Sequence, residues 1–376
     1  MVATELEVVD SLDAVSPVEW DSLAGDNPFL RYAFLHAMHE TGCASRKTGW
    51  IPRYLILRTG TTLTGAMPLY LKGHSRGEYV FDHSWADAFY QHGIRYYPKL
   101  LSAIPFTPVT GPRLLAHSLE HKRLLALGAV QLAKQLEVSS LHILFPDDGD
   151  KQVLEDIGYM LRSGVQFHWT NAGYSDFEAF LATMNQEKRK KVRQDSRKVA
   201  EAGIGFRWLR GGEIADADLR FFYRCYELTY QAHGSSPYLN LEFFRRILAA
   251  MPESVLVVLA ERDGSPVAAA LNVIGENVLY GRYWGTTEFV PGLHFETCYA
   301  QAIRWCIANR VDSFEGGAQG EHKMARGLLP TPTYSAHWIS DNRFAAAISD
   351  FLERETSVIA DYRAELGEHA PFRKLS

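Results

Sequence analysis

Apolar positions along this chain recur with two periods, and the switches between them mark its elements. Residues 5–10 (ELEVVD) alternate as a short strand. Ser16-Pro17-Val18-Glu19 has the form of a capping box with proline at the first helical position, and predicts a short helix ending near Gly25. Phe29, Leu30, Phe34, Leu35 and Met38 have helical spacing. Tyr54–Arg58 and Leu63–Leu71 then read as a hairpin turning at Gly60. Residues 72–112 are irregular and aromatic, and four prolines between 98 and 112 predict a structured loop or edge strands. A helix over 118–136, a buried strand over 140–145, a short helix over 151–158 and a strand pair over 159–169 around Gly164 follow.

Residues 174–203 read as mostly helical, opening on a second capping box, Ser175 to Glu178. A strand over 205–209 and amphipathic helices over 216–233 and 240–251 come next. Three antiparallel strands are expected over 254–261, 266–274 and 277–284, then a helix over 294–309, strands over 311–315 and 334–339, and a final helix over 344–366.

This order contains a repeat. In each half a strand-turn-strand leads to a helix, a strand, a polar segment and a closing His-Trp, at His168-Trp169 and His337-Trp338. Phe145 to His168 is 23 residues and Glu315 to His337 is 22. The chain therefore divides into two α/β units, 1–172 with a long insert at 72–112, and 173–376, which opens with a basic helix and ends in a C-terminal one. At 376 residues it is long enough for two cores.

Composition narrows the class. Apolar content of 47% and charged content of 22% are those of a globular protein. A net charge of −5 gives no global case for nucleic acid. Four cysteines without metal spacing fit reduced thiols in a cytoplasm. The N-terminus is acidic, with no basic start and apolar run, and no window of 18 apolar residues predicts a membrane span.

The element order resembles the GNAT N-acyltransferase fold, and two such units in one chain resemble the Fem-type transferases, which add amino acids to peptidoglycan precursors. Residues 188–204, a basic helix ending Ala-Gly-Ile, are similar to the helix that opens the second Fem domain. Further blocks resemble a family of predicted N-acyltransferases related to both, among them Tyr97-Pro-Lys, Pro105-Phe-Thr-Pro-Val-Thr-Gly-Pro-Arg, Leu279-Tyr-Gly-Arg-Tyr-Trp-Gly and Gly317-Ala-Gln-Gly-Glu-His-Lys. The resemblance implies an α/β (α+β) fold of two tandem GNAT-like units, each with a mostly antiparallel mixed sheet. It implies transfer of an activated acyl or aminoacyl group to the amine of a small molecule or peptide. The co-substrate would be acyl-CoA or aminoacyl-tRNA, with no permanently bound cofactor and tRNA as a possible partner. One departure bears on the donor. The loop before a CoA-binding helix is usually glycine-rich, so that backbone N–H groups hold the pyrophosphate. Here Thr286–Glu296 has one glycine and two carboxylates, and residues 107–116 have one glycine, which favours aminoacyl-tRNA.

Amide formation needs a neutral amine, donors for an oxyanion and a proton for the leaving group. Residues 313–327 offer all three. Glu315, His322 and Lys323 are the candidate catalytic groups, with Gly316, Gly317, Gln319 and Arg326 around the substrate. A solvated turn is the alternative. Tyr280, Arg282 and Trp284 should share one strand face as an acceptor wall, with Tyr283 behind, unless they are core. His294 and Glu296 would stand at the same mouth as substrate contacts, or cap their helix. A metal set of His294, Glu296, Glu315 and His322 lacks diagnostic spacing, and no metal is expected. Lys188, Arg189, Lys190, Lys191 and Arg193 could grip donor phosphates or form a solvated face. The insert, with Lys72, Glu78, Asp82 and Trp85, reads as a lid or acceptor groove between the units, Trp85 touching substrate.

Overall fold

The structure, a computed structural model, describes residues 3–318 and 320–373. Its strands are β1 (Thr4–Val9), β2 (Trp50–Pro52), β3 (Tyr54–Thr59), β4 (Thr62–Met67), β5 (Tyr70–Lys72), β6 (Lys99–Ser102), β7 (Ser140–Leu144), β8 (Met160–Thr170), β9 (Ile204–Arg210), β10 (Val255–Arg262), β11 (Ser265–Ile274), β12 (Val278–Thr286), β13 (Ser313–Glu315) and β14 (Leu329–Ile339). They belong to two compact units, 1–165 with 332–362, and 166–331 with 363–376.

The units are therefore not the two halves of the chain. The expected boundary at 172–173 falls inside the second unit. The last strand of each repeat is exchanged. Gln166–Thr170 of β8 completes the second unit, where His168 lies opposite Glu315 of β13. Residues 335–339 of β14 complete the first, where His337 lies opposite His142 of β7. A terminal strand pairs wherever an open edge accepts its hydrogen bonds, and no local signal in the sequence names that edge.

In the first unit, β1, β3 and β4 form a three-stranded sheet, and the strand order of the second sheet runs β2-β5-β6-β7-β14. The helix Leu119–Gln135 buries Leu125, Ala129 and Ala133 against Leu100, Leu141 and Ile143 on one face. The other face is covered by the helices His83–Gln91 and Asn342–Glu368, through Trp85, Phe89, Ile348 and Leu352. The insert is thus not an irregular loop. It supplies a helix and β6, which is buried along its length and paired on both sides, to β5 and to β7. Pro98 and Pro105 flank β6 and limit its length; they do not place it at an edge. Gly164 makes no turn: β8 runs straight through it, and a Cβ there would meet Thr333 Oγ1 at 2.9 Å.

In the second unit the order is β8-β13-β12-β11-β10-β9. The predicted helix 174–203 is two, Phe177–Thr183 and Gln186–Glu201, and the first cap is Asp176 rather than Ser175, its carboxylate accepting from the Ala179 N–H at 2.7 Å. β12 carries a bulge. Asn272 of β11 pairs Gly281 and Leu271 pairs Tyr283, so the register skips Arg282. β13 pairs β12 in parallel only from Val278↔Ser313 to Tyr280↔Glu315. Past that point β12 continues to Thr286 with no strand on that side among the described residues, and the two strands part. In the first unit β6 leaves β7 in the same way after Ser102↔Ile143, but the chain returns. Gly111 bridges Pro146, and the buried Arg113 guanidinium donates to the carbonyls of Val109, Gly111, Pro112 and Leu144. The space beyond the strand ends is filled there by the chain's own return, whereas in the second unit the residues after β13 are Gly316 and Gly317, with Leu328 and Lys323 close by.

The strand exchange has a direct test. Truncation after Thr331 removes no residue of 1–165, yet it takes β14 and the C-terminal helix from the first unit. Amide exchange over residues 54–144 should then rise to the level of an unfolded chain. Native protection in that segment would show the exchange to be dispensable.

Candidate active site in the second unit

Glu315 ends β13 where the strands part. Parallel pairing sets it beside Tyr280, and antiparallel pairing sets it opposite His168, whose Nδ1 is 3.8 Å from Oε1. Burial raises its carboxyl to about 8, against the pull of Arg282. Burial likewise holds His168 down at about 4, helped by the charge of Lys323, so its ring is neutral at physiological pH.

Lys323 comes from the 3-10 turn Glu321–Arg326 and is 3% exposed. Its ammonium donates to the Gly317 carbonyl at 2.8 Å. Burial, with the nearby Arg282 charge, lowers it to about 8. A carboxyl that resists ionisation and an ammonium that readily loses its proton thus flank one strand end, and Arg282, the bulge residue, acts on both. Gly316 and Gly317 are required at this point. A Cβ on Gly316 would strike Leu328 at 2.7 Å, and Gly317 has φ +86°.

The bulge also revises the expected acceptor wall. The register puts Tyr280 and Tyr283 on the Glu315 face, where Tyr283 packs on Tyr226 and Phe244 at ring distances of 5.0 and 5.8 Å. Gly281 and Trp284 take the other face, and the Trp284 ring packs on His294 at a centroid distance of 5.0 Å, tilted by 47°. Tyr280, Arg282 and Trp284 do not share a face, because one extra residue in the strand shifts every later side chain. His294 is held down at about 4 by burial and by the charges of His322, Lys323 and Arg326. His322 is exposed, and its Nε2 lies 3.4 Å from the Tyr299 hydroxyl.

Three other expected contacts are committed elsewhere. Arg326 donates to Asp195 at 2.6 Å and lies over the Phe295 ring, which ties the 3-10 turn to the basic helix. Glu296 accepts from Ser196 and from Gln301 at 2.9 Å, inside a π-turn at Glu296–Ala300, so it is a structural anchor. Trp85 is buried in the first unit against His142 and His337 and offers no ring to a ligand here. Gln319 lies outside the described residues. Among the described residues the one set of metal-type ligands within 4.8 Å is Asp13, His36 and Glu40 near the N-terminus, not the set around Glu315. The helix Gln186–Glu201 turns Val192, Asp195 and Val199 inward and leaves Lys190, Lys191 and Arg193 exposed, with Lys188 and Arg189 half-buried. Lys191 pairs with Asp195 and Arg193 with Glu178. His168, Asp195 and Tyr299 were missed because their partners are more than 20 residues away, and only the repeated His-Trp hinted at the first.

The model of the FemAB-like family, described by peptidoglycan biosynthesis and recognition, matches residues 11–374. The chain belongs to the FemAB-like family. No curated protein matches it by sequence. Among solved structures, FemX is similar with a TM-score of 0.55 at 12% identity, over 89% of this chain and 98% of that one. The L-PGS structure from Bacillus licheniformis gives 0.57 at 10%, over 90% and 97%. The C-terminal domain of a putative lysylphosphatidylglycerol synthetase from Agrobacterium fabrum gives 0.55 at 11%, over 89% and 95%. At these identities the likeness is one of fold, two tandem GNAT-like units of α/β class, as the FemAB-like chain was expected to have. Among the described residues no helix is long and apolar enough to cross a membrane.

The shift on Glu315 makes a stability prediction with a definite sign. The folded state binds this proton more tightly than the unfolded chain, so the stabilisation is full below about pH 4.5 and is lost as pH rises towards about 8. Glu315→Gln removes that loss. Its melting temperature should gain on wild type steadily from pH 5 to pH 8, read by calorimetry; a pH-independent difference would mean that Glu315 is not a buried titrating carboxyl.

Proposed function

We propose that this protein is an N-acyltransferase that joins an activated aminoacyl group to the amine of a peptidoglycan-type precursor. The observation that carries the reading is that Glu315 at the end of β13 and Lys323, whose ammonium is held by the Gly317 carbonyl just beyond that end, are both brought by burial to about 8. General acid–base groups work best when their pKa lies near the operating pH. Ionised Glu315 takes the proton from the acceptor ammonium, freeing the lone pair that attacks the ester carbonyl. The Lys323 ammonium stabilises the oxyanion and gives its proton to the departing oxygen. Arg282 supports both steps by keeping a fraction of Glu315 ionised and Lys323 acidic.

Aminoacyl-tRNA is favoured over acyl-CoA because the N-terminus of the helix that begins at Leu293 is already covered. Gly292 has φ +89°, and a Cβ on it would lie 3.2 Å from the Asp195 carbonyl of the basic helix. A pyrophosphate held there would have to displace that helix. The exposed Lys190, Lys191 and Arg193 suit the phosphates of tRNA, and the work would be done in the cytoplasm, where charged tRNA is made. The FemAB-like description supports a peptidoglycan precursor as acceptor.

Two measurements check this. With aminoacyl-tRNA and a precursor peptide, amide formation should appear by mass spectrometry, and acyl-CoA should give none. Glu315→Gln should lower kcat/KM by about 10²–10⁴ and Lys323→Met by a similar factor, with the fold intact. Near-wild-type turnover in both variants would refute the assignment, and ligand binding without turnover by either donor would make the protein a binder. Separately, Lys190→Glu and Arg193→Glu should each weaken tRNA binding and flatten its salt dependence by roughly 0.7–0.9 in log–log slope. An unchanged slope would leave this helix a solvated face.

A further inference from the structure

The first unit buries charge where a protein core has no use for it. Lys72 ends β5 and Lys99 begins β6, and the antiparallel register sets them directly opposite each other, both 0% exposed. Like charges facing across strands repel, and burial deprives them of the water that would screen them. An anion must sit between them. Two carboxylates do. Glu78 takes Lys99 at 2.7 Å and lies 3.7 Å from Lys72, and Asp82 also takes Lys99. Tyr96 donates to Asp82 at 2.6 Å and reaches His142 Nε2 at 3.0 Å, and His142 meets His337 at 2.7 Å between ring nitrogens.

The origin of each sign is unequal. The cations and imidazoles stand on regular strands, Lys72 on β5, Lys99 on β6, His142 on β7 and His337 on β14. Both acids come from one irregular segment, residues 73–82. That segment holds Tyr79 at φ +63°, a left-handed conformation that a tyrosine adopts at a cost. Asp82 is the N-cap of the helix His83–Gln91 and makes no capping bond, its carboxylate being turned to Lys99 instead. The acids are also incompletely satisfied. Glu78 Oε1 and Asp82 Oδ1 have no hydrogen-bond partner, nor does the indole nitrogen of Trp85, whose ring lies against His142. His142 faces His337 across a strand pair, finally, as Glu315 faces His168 in the second unit.

We propose that the floor formed by Lys72, Lys99, Tyr96 and His142 is a second binding site, for a multiply charged anion of the phosphate or carboxylate class, held shut by residues 73–82 with Glu78 and Asp82 in the ligand's place. The ligand displaces the two carboxylates and takes over their lysines. The segment then leaves its left-handed turn, and Asp82 is released to cap its helix. The site is separate from the chemistry at Glu315, and binding can be read without any acyl-transfer assay.

The test uses the full chain. Hydrogen exchange of residues 73–82 is followed by mass spectrometry while inorganic pyrophosphate is titrated in one series and succinate in another, with calorimetry on the same samples. Saturable acceleration of exchange in 73–82 is expected with at least one; a response to pyrophosphate alone assigns the phosphate class and a response to succinate alone the carboxylate class. Glu78→Gln removes the competing charge and should tighten binding about tenfold, and Lys99→Met should abolish it. The proposal is overturned if neither anion changes exchange of 73–82 in the wild-type protein, a readout that needs no variant to fold. Undiminished binding in a folded Lys99→Met variant also overturns it.

Discussion

Past Tyr280 and Glu315 two neighbouring strands stop sharing hydrogen bonds, and the candidate site of the second unit is built at that point. Parallel pairing holds β13 to β12 for three residues, and the bulge at Arg282 then turns β12 away. A carboxylate that would otherwise be an ordinary strand residue becomes the last paired group of its strand, buried beside Tyr280 with one neutral histidine across from it. Burial raises its proton affinity, and the same burial lowers that of Lys323. No direct ion pair between the two is needed for both to titrate near neutrality. Each is destabilised in its charged form by the same dry environment, and Arg282 tunes both.

The first unit solves the same geometric problem in the opposite way. Its strands also part, but its own chain returns and Arg113 satisfies four carbonyls in the space. Its ionisable groups gather instead under the insert, where two lysines meet two carboxylates whose hydrogen bonds are incomplete. A buried network with acceptors left over is costly to fold. Its persistence in the structure is better explained by a ligand than by stability, since well-packed apolar residues of the same volume would hold a core more cheaply.

Much of this was legible in the chain. Hydrophobic period, capping residues and glycine turns located most helices and strands to within a few residues, and the repeated His-Trp exposed the two-unit plan. The stretch 313–327 was marked by its density of ionisable groups between core elements, and Glu315 and Lys323 came from that marking. What misled was local reasoning applied to nonlocal facts. Pro98 and Pro105 made β6 look like an edge strand, although its neighbours lie elsewhere in sequence. Strict alternation along β12 put Tyr280, Arg282 and Trp284 on one face, although one bulge residue breaks the count. Arg326 and Glu296 looked available because Asp195 and Ser196, which hold them, are about a hundred residues away.

The sequence by itself determined the elements, the repeat and the candidate stretch, because periodicity, capping and turn chemistry act over a few residues. Only the tertiary structure decided which strand each repeat lends to the other unit, where neighbouring strands part, and which charged groups are desolvated. Those are matters of edge pairing and burial, and both are set by residues far away in the chain. Glu315 was a candidate from its neighbours in sequence. Its raised proton affinity comes from burial beside Tyr280 and His168, which only folding brings to it.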